Sequence, residues 1–237
     1  MSQCSGPLTQ WNMSYLFPMT ETRWLTEPEK GKSCDDLQRM LQYLRGKASP
    51  RKMRLFACAC CRLKWHLLED ARSQRAVSAA EQFADAQISK KDLAFARLHA
   101  FTVHEKSRTT NSPFGAIAAV HAAGTVLEWG DEPTEAGTAL RAAITTAACS
   151  ANCPADKREQ IALLRHIFGN PFRPYPAPDH WPLAVVELAA AVYDDLDCCF
   201  ALHDALLDAG HAELAEHFRE PYHPKGCWAL DLILGKS

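Results

Sequence analysis

The segment SPRKMRLFACACCRLKWHLL, residues 49 to 68, decides the fold. It opens with Ser49, a favoured N-cap residue, and Pro50, whose fixed φ and missing N–H suit the first helical turn. At 100° per residue, one side of the predicted helix is apolar and consists of Met53, Phe56, Cys60, Leu63 and Leu67. The opposite side is cationic and carries thiols and an indole, and it consists of Arg51, Arg54, Cys58, Cys61, Arg62 and Trp65. This pattern predicts an amphipathic helix on which other helices pack.

Helical periodicity extends to both sides of this segment. Before it, leucines and a methionine recur at helical spacing up to Leu44, and Gly46 is placed to end that helix in the left-handed conformation. After it, alanine-rich stretches predict helices at about 70–87, 89–107, 113–129, 134–150, 154–168, 183–196, 198–209 and 211–219, followed by a short apolar segment at 229–234. No stretch shows the period-two alternation that is typical of strands. We therefore predict an all-α fold, a single bundle of about eight to ten helices.

Two segments interrupt the helical pattern. Residues 1–33 contain scattered Pro and Gly without a sustained period, so we expect a loosely structured N-terminal arm. The remaining residues, 34–237, are predicted to form one all-helical domain. Within that domain, prolines at 171, 174, 176, 178 and 182 forbid a continuous helix and favour extended backbone. We predict a Pro-rich strap at 170–182.

The composition is that of an ordinary globular protein. The chain has 237 residues, of which 47% are hydrophobic and 23% charged, which excludes disordered and collagen-like classes. No basic region followed by a long apolar stretch indicates a signal peptide or a membrane span, so we expect a cytoplasmic protein without membrane contact. A chain of this length needs no disulfides for a sufficient core. Its ten cysteines are therefore interpreted as reduced thiols, most of them small buried hydrophobes.

The charges are distributed unevenly along the chain. Between residues 45 and 75, nine Lys or Arg stand against two acidic residues, a net charge of +7. Between residues 179 and 220, ten Asp or Glu stand against one Arg, a net charge of -9. Either the two regions complement each other within the fold, or each meets an outside partner.

No complete catalytic motif is present in the sequence. It has no Gly-rich phosphate loop, no GxSxG elbow and no dinucleotide fingerprint, and the pair His104 and Glu105 lacks the second His of a zinc protease motif. We therefore expect no enzymatic activity and no required cofactor. The leading hypothesis is a non-catalytic protein-interaction or regulatory module, whose protein partner the sequence does not identify.

The alternative is a zinc-dependent enzyme or a zinc-stabilised binding module. Cys58 and Cys61 lie one helical turn apart beside arginines, and nearby cations lower the pKa of a thiol. His223 and Cys227 flank a Pro-Lys-Gly bend and His217 lies upstream of it, which gives three potential ligands of the two types, His and Cys, that zinc accepts. A local fourth ligand is not evident, so packing of the tail onto the bundle is the competing interpretation of these three residues.

A further alternative is nucleic-acid or anion binding through the cationic side of the helix at 50–68. Arginines beside an exposed aromatic ring suit single-stranded nucleic acid. The candidates are Arg51, Arg54, Arg62 and Trp65, joined by Arg173 and Lys225, two charged residues in turns that packing does not explain. The competing interpretation pairs these arginines with Asp194, Asp195, Asp197 or Asp208. We expect any site where the strap, the C-terminal tail and this basic side converge.

Four stretches also carry a resemblance to known proteins. They are MTETRWL (19–25), LRGKASPRKMRLFACACCR (44–62), IFGNPFRP (167–174) and GCWALDLILGK (226–236). Together they resemble an uncharacterised, often multi-copy family of planctomycete-type bacterial proteins. The resemblance implies a shared architecture and a bacterial cytoplasmic protein, and it implies no mechanism. Proteins of this family begin at the position of Met19, so it also implies that residues 1–18 are an extension or a misassigned start.

Overall fold

The computed structural model describes residues 18–26, 33–107, 145–146 and 154–236. In these ranges the chain forms ten helices and no strand, which confirms the predicted all-α bundle. The helices are α1 (Glu21–Leu25), α2 (Ser33–Tyr43), α3 (Pro50–Leu63), α4 (Ala71–Ala84), α5 (Lys90–Ser107), α6 (Pro154–Phe168), α7 (Leu183–Tyr193), α8 (Cys199–Asp208), α9 (Ala212–His217) and α10 (Trp228–Leu234). The predicted helix at 113–129, and that at 134–150 apart from residues 145–146, lie outside the described residues.

Helix α3 begins where the sequence predicts. The side-chain oxygen of Ser49 accepts a hydrogen bond from the Lys52 amide at 3.3 Å, and Pro50 occupies the first helical position. Gly46, in the turn after α2, has the predicted left-handed backbone with a φ of 72°. The α2–α3 corner is thus set by local residue chemistry.

Helix α3 lies at the centre of the bundle, because both of its sides are buried. One side contributes Met53 and Phe56 to a core shared with α1, α2 and α6. The other contributes Ala57 and Cys58 to a second core with α4 and α5. Even Arg54 is only 3% exposed. The predicted amphipathic helix therefore has no large solvent-facing side over most of its length.

A third core joins the C-terminal helices α7 to α10. The segment between α6 and α7 contains no helix, in agreement with the predicted strap, and its Tyr175 and Trp181 pack against this core. Helix α10 contacts both α7 and α6, so the tail returns to the bundle. No helix in the described ranges is long and apolar enough to cross a membrane.

Helix α1 is a feature that the sequence pattern did not predict, since it lies within the expected loose arm. Its Trp24 is fully buried, and the indole Nε1 donates a hydrogen bond to the Gly169 carbonyl at 2.8 Å. Arg165 of α6 in turn donates to the Trp24 carbonyl at 2.7 Å. Residues 1–17 and 27–32 of the expected arm lie outside the described residues.

A buried ion network connects α3 to the tail. Arg51 donates to both carboxylate oxygens of Asp231, at 2.7 and 3.1 Å, and to Asp85 at 2.9 and 3.1 Å. Asp231, on α10, is completely buried, and the Tyr193 hydroxyl also donates to Asp85. The suggested partners Asp194, Asp195, Asp197 and Asp208 are exposed instead. That pairing hypothesis is therefore wrong for Arg51. This arginine lies at the start of α3, next to α10 and the end of α4, and pairs with their carboxylates instead.

Candidate metal centre

Four side chains with metal-binding atoms converge where the tail meets α6. They are His166, His217, His223 and Cys227, and their ligand atoms all lie within 4.8 Å of one another. We call this group the His3Cys cluster. It is the one group of this kind among the described residues.

Separate elements position the four ligands. His166 lies in the last turn of α6, and His217 is the last residue of α9. His223 lies in the loop that follows, and Cys227 is the residue before α10. The loop turns sharply at Gly226, whose φ is 84° and whose position is so close to Leu55 that an added Cβ would lie 2.8 Å from a leucine methyl carbon. Close packing of the tail on α3 therefore places Cys227 beside the histidines.

The distances fit tetrahedral coordination. His166 Nε2 lies 3.0 Å from His223 Nδ1, His217 Nε2 lies 3.1 Å from the Cys227 Sγ, and this sulfur lies 3.6 Å from His223 Nδ1. Zinc bonds of about 2.0–2.1 Å to nitrogen and about 2.3 Å to sulfur would separate tetrahedral ligand atoms by about 3.3 to 3.6 Å. These three distances differ from the tetrahedral values by a few tenths of an ångström at most. The other pairs of ligand atoms lie within 4.8 Å, so a bound metal ion would draw some of them together by up to about an ångström.

Burial leaves the three imidazoles neutral, so each ring keeps one nitrogen lone pair. Without metal, His166 Nε2 donates its proton to His223 Nδ1, and metal binding at Nε2 would require this proton to move to His166 Nδ1. Desolvation, reinforced by neighbouring histidines, lowers the pKa of His166 to about 4 and that of His217 to about 3. Desolvation likewise lowers the pKa of His223. The Cys227 thiol is completely buried, and this burial raises its pKa to about 12. Metal binding would therefore have to displace the thiol proton, as it does at other cysteine sites.

A backbone hydrogen bond orients one of the imidazoles. The Glu220 carbonyl lies 2.9 Å from His223 Nε2, so that nitrogen donates the hydrogen bond and Nδ1 faces the cluster with its lone pair. Partners of this type fix the tautomer and orientation of metal-binding histidines. The exposed Glu220 carboxylate lies 3.7 Å from His166 Nδ1, beyond hydrogen-bond distance.

Lys52 braces the backbone on both sides of the cluster. Its ammonium group donates to the Ile167 carbonyl at 2.8 Å and lies 3.5 Å from the Gly226 carbonyl and 3.2 Å from an Asp231 oxygen. Ile167 directly follows the ligand His166, and Gly226 directly precedes the ligand Cys227. One buried cation on α3 therefore joins two of the chain segments that supply ligands.

The structure brings together three of the five residues that the sequence suggested as metal ligands. Cys58 and Cys61 lie instead in the second core, where the Cys58 thiol faces the Val77 carbonyl at 3.8 Å. The expectation of a lowered thiol pKa is wrong for Cys58, because burial raises its pKa far more than nearby arginines lower it. These two cysteines are core residues, as the competing interpretation held.

His166 is the ligand that sequence reasoning missed. It lies 51 positions before His217, and helical periodicity assigns it only to the end of α6. The available signal was its position directly before the IFGNPFRP stretch, a turn rich in Pro, Gly and aromatic residues. That turn brings the end of α6 to the tail: Gly169, with a φ of 63°, packs directly against the Trp228 ring.

The residues suggested for nucleic-acid or anion binding do not form one exposed surface. Arg54 is buried, and Arg51 is half-buried and paired with Asp85. The Arg62 guanidinium stacks over the Trp65 ring, 4.1 Å from its centre, and binds Glu81. Arg173 belongs to the strap rather than to α3. It is exposed and pairs with Glu21 at 2.9 Å. Lys225 lies on the loop between His223 and Cys227. The expected convergence of tail and basic helix does occur there, next to the cluster.

Comparison of the chain with protein-family models, with curated proteins and with solved structures finds no match. The functional argument therefore depends on the geometry of the site.

Proposed function

We propose that this protein is a non-catalytic, zinc-stabilised helical module that binds another protein. The observation that carries the zinc assignment is the convergence of three neutral imidazole nitrogens and one thiol within 4.8 Å. Nitrogen and sulfur donors in a tetrahedral arrangement are the preferred environment of zinc. Calcium and magnesium are disfavoured because they require oxygen ligands.

The number of protein ligands favours a structural role over catalysis. Catalytic zinc sites use three protein ligands and leave a position for water or substrate, whereas structural sites are closed by four. The His3Cys cluster supplies four donors, two of which, on His223 and Cys227, belong to buried residues. Metal bound here would link α6, α9, the following loop and the start of α10, and so hold the tail on the bundle.

Elemental analysis of the purified, tag-free protein tests the zinc proposal. We expect about one zinc per chain, and X-ray absorption spectra with one sulfur and three nitrogen neighbours. Cys227→Ser and His166→Gln should each lose most of the metal, because each removes one of four ligands. Cys198→Ser is the matched control, since this partly exposed cysteine lies outside the cluster, and it should retain zinc.

Metal-free wild-type protein that also fails to bind added zinc would contradict the proposal. Stoichiometric copper or iron would replace zinc as the metal.

Protein binding is supported by the exposed side of α8. Phe200 is 74% exposed and Leu207 is 43% exposed, and they share this side with the exposed carboxylates of Asp204 and Asp208. Exposed aromatic and aliphatic side chains that lie together favour an interaction surface. Their acidic neighbours favour a basic partner segment, and we propose an amphipathic helix as that segment. They disfavour a second copy of this chain, whose like charges would face them.

A synthetic amphipathic helix of leucine and lysine is the probe for this surface. We expect saturable binding in fluorescence anisotropy that weakens as salt increases. The double variant Phe200→Ser with Asp204→Lys should reduce the affinity about tenfold or more, because it removes an apolar anchor and reverses a charge. Glu69→Lys, an equal charge reversal on an exposed residue outside α8, is the control and should retain most of the affinity. Equal loss in both variants would indicate non-specific attraction, and a concentration-dependent dimer of the wild type would assign the surface to a second copy. Either result would contradict the proposed partner.

A further inference from the structure

A cleft of about 250 Å³ opens beside the metal centre, between α3, α4, the end of α7 and the tail loop. Leu55 and Ala59 of α3 and Pro224 of the loop supply its apolar lining, and His223 separates it from the His3Cys cluster. Its volume is slightly below the roughly 300–1,000 Å³ of clefts that hold drug-sized molecules. A ligand of the size of an amino acid is therefore the largest that it would enclose.

The charged side chains of the cleft differ in whether they already have partners. Glu81 is buried and accepts two hydrogen bonds from Arg62, at 2.9 and 2.6 Å, so these two groups largely neutralise each other. Lys225 and Asp195 also line the cleft, and no ion pair engages either of them among the described residues. The amine of Lys225 lies over the Tyr193 ring, 5.2 Å from the ring centre. The same small cleft is thus lined by one cationic and one anionic residue that form no ion pair in the described part of the chain.

Asp195 directly follows the C-cap of α7 and ends this helix in the left-handed conformation, with a φ of 63°. Aspartate tolerates this conformation better than most residues other than glycine. The helix end thus sets where Asp195 lies at the rim of the cleft. The Tyr222 ring lies on the loop side of the cleft, within electrostatic range of Arg62, Glu81 and Asp195. A ligand in the cleft would thus find a phenol hydroxyl in addition to the two charges.

We propose that this cleft binds a small zwitterion, namely a free amino acid. Its carboxylate would pair with Lys225 and its ammonium group with Asp195. Its side chain would lie on the apolar lining formed by Leu55 and Ala59. A ligand with only one of the two charges would pair with only one of these side chains, so it should bind more weakly than a zwitterion. This inference goes beyond the structural metal site and assigns a ligand to the protein.

Isothermal titration calorimetry with each of the twenty proteinogenic L-amino acids tests this inference, on protein as purified. We expect saturable binding by at least one amino acid with an aliphatic or small polar side chain. Butyrate and butylamine, which carry one charge each, should bind about tenfold more weakly or not at all. Asp195→Asn and Lys225→Met should each weaken amino-acid binding by at least the same factor. Asn is chosen because it tolerates the left-handed backbone.

Two controls and one parallel measurement make the outcomes distinct. Asp179→Asn and Lys91→Met make the same chemical changes at exposed positions outside the cleft lining and should leave binding unchanged. Zinc content is measured in every preparation and should equal that of the wild type in both cleft variants. A protein with zinc that binds no amino acid would overturn the cleft assignment alone, and amino-acid binding without zinc would overturn the metal proposal alone. Butyrate binding as tightly as the amino acid would show an anion site and would also overturn the zwitterion.

Discussion

Replacing Gly169 by Ala should destabilise the protein more than the same change at any open glycine of the bundle. Gly169 has a φ of 63°, and a Cβ added to it would lie 2.9 Å from Trp228 Cγ and 3.1 Å from Cδ2. Two costs therefore add. The left-handed conformation costs an alanine about 1 kcal/mol. The partly buried indole packs against the third core, so overpacking costs about 1–3 kcal/mol more.

The variant Gly46→Ala measures the free-energy cost of the left-handed backbone without the cost of overpacking. Gly46 has a similar φ of 72°, but an added Cβ would meet nothing within 4 Å. We expect the free energy of unfolding, measured in urea, to fall by about 1 kcal/mol in Gly46→Ala and by about 2–4 kcal/mol in Gly169→Ala. The difference between the two variants measures the contact with Trp228. Equal losses in both variants would refute the reasoning, because they would show that Trp228 does not confine this position.

The same substitution also tests how the metal centre is held. Gly169 follows α6, which carries His166, and Trp228 follows the ligand Cys227. Displacement of the indole from Gly169 would therefore separate two ligand-bearing segments. We expect weaker zinc retention in a chelator competition for Gly169→Ala and wild-type retention for Gly46→Ala.

Three further predictions concern the same region. Because the pKa values of His166 and His217 are about 4 and about 3 in the fold, against 6.5 when exposed, the unfolded chain binds more protons below pH 6.5. The free energy of unfolding of metal-free protein should fall by up to about 2 kcal/mol per histidine between pH 7.5 and pH 5, and urea titrations without this loss would contradict the neutral imidazoles. Lys52→Met should lower zinc affinity about 10–100-fold in chelator competition, because the Ile167 carbonyl loses its donor. Zinc removal should increase amide hydrogen exchange in residues 217–227 while α3 stays protected, and uniform exchange throughout the chain would show that the metal supports the entire fold.

The fold could be predicted from the sequence because its determinants are local. The cap at Ser49 and the left-handed glycine at 46 each depend on residues within one helical turn. The prolines of the strap act locally as well. Helix α1 was missed because its five residues show no periodicity, and it is stabilised by burial of Trp24 against α6, a contact between residues 145 positions apart.

Sequence reasoning could identify only those ligands of the metal site that lie close together in the sequence. His217, His223 and Cys227 fall within eleven positions, counted from 217 to 227, and the bend between them is visible in the sequence. His166 reaches them only through the tertiary contact of α6 with the tail. Cys58 and Cys61 have a more suggestive local spacing, but α4 and α5 cover that side of α3 and turn both thiols into core residues.

Two kinds of contact hold the tail on the bundle, and only one of them involves the metal centre. This difference determines which part of the tail should respond to metal binding. On α10, the Asp231 carboxylate binds Arg51 and Lys52, and the third core buries Leu230 and Ile233. These contacts need no metal, so α10 should stay docked when zinc is absent. The loop from 218 to 226 contains no helix, and the cluster residue His223 lies near its middle. Because Lys225 lies two positions beyond that ligand, zinc should order the cleft more than it stabilises the bundle, and amino-acid binding should therefore be weaker in metal-free protein that remains folded.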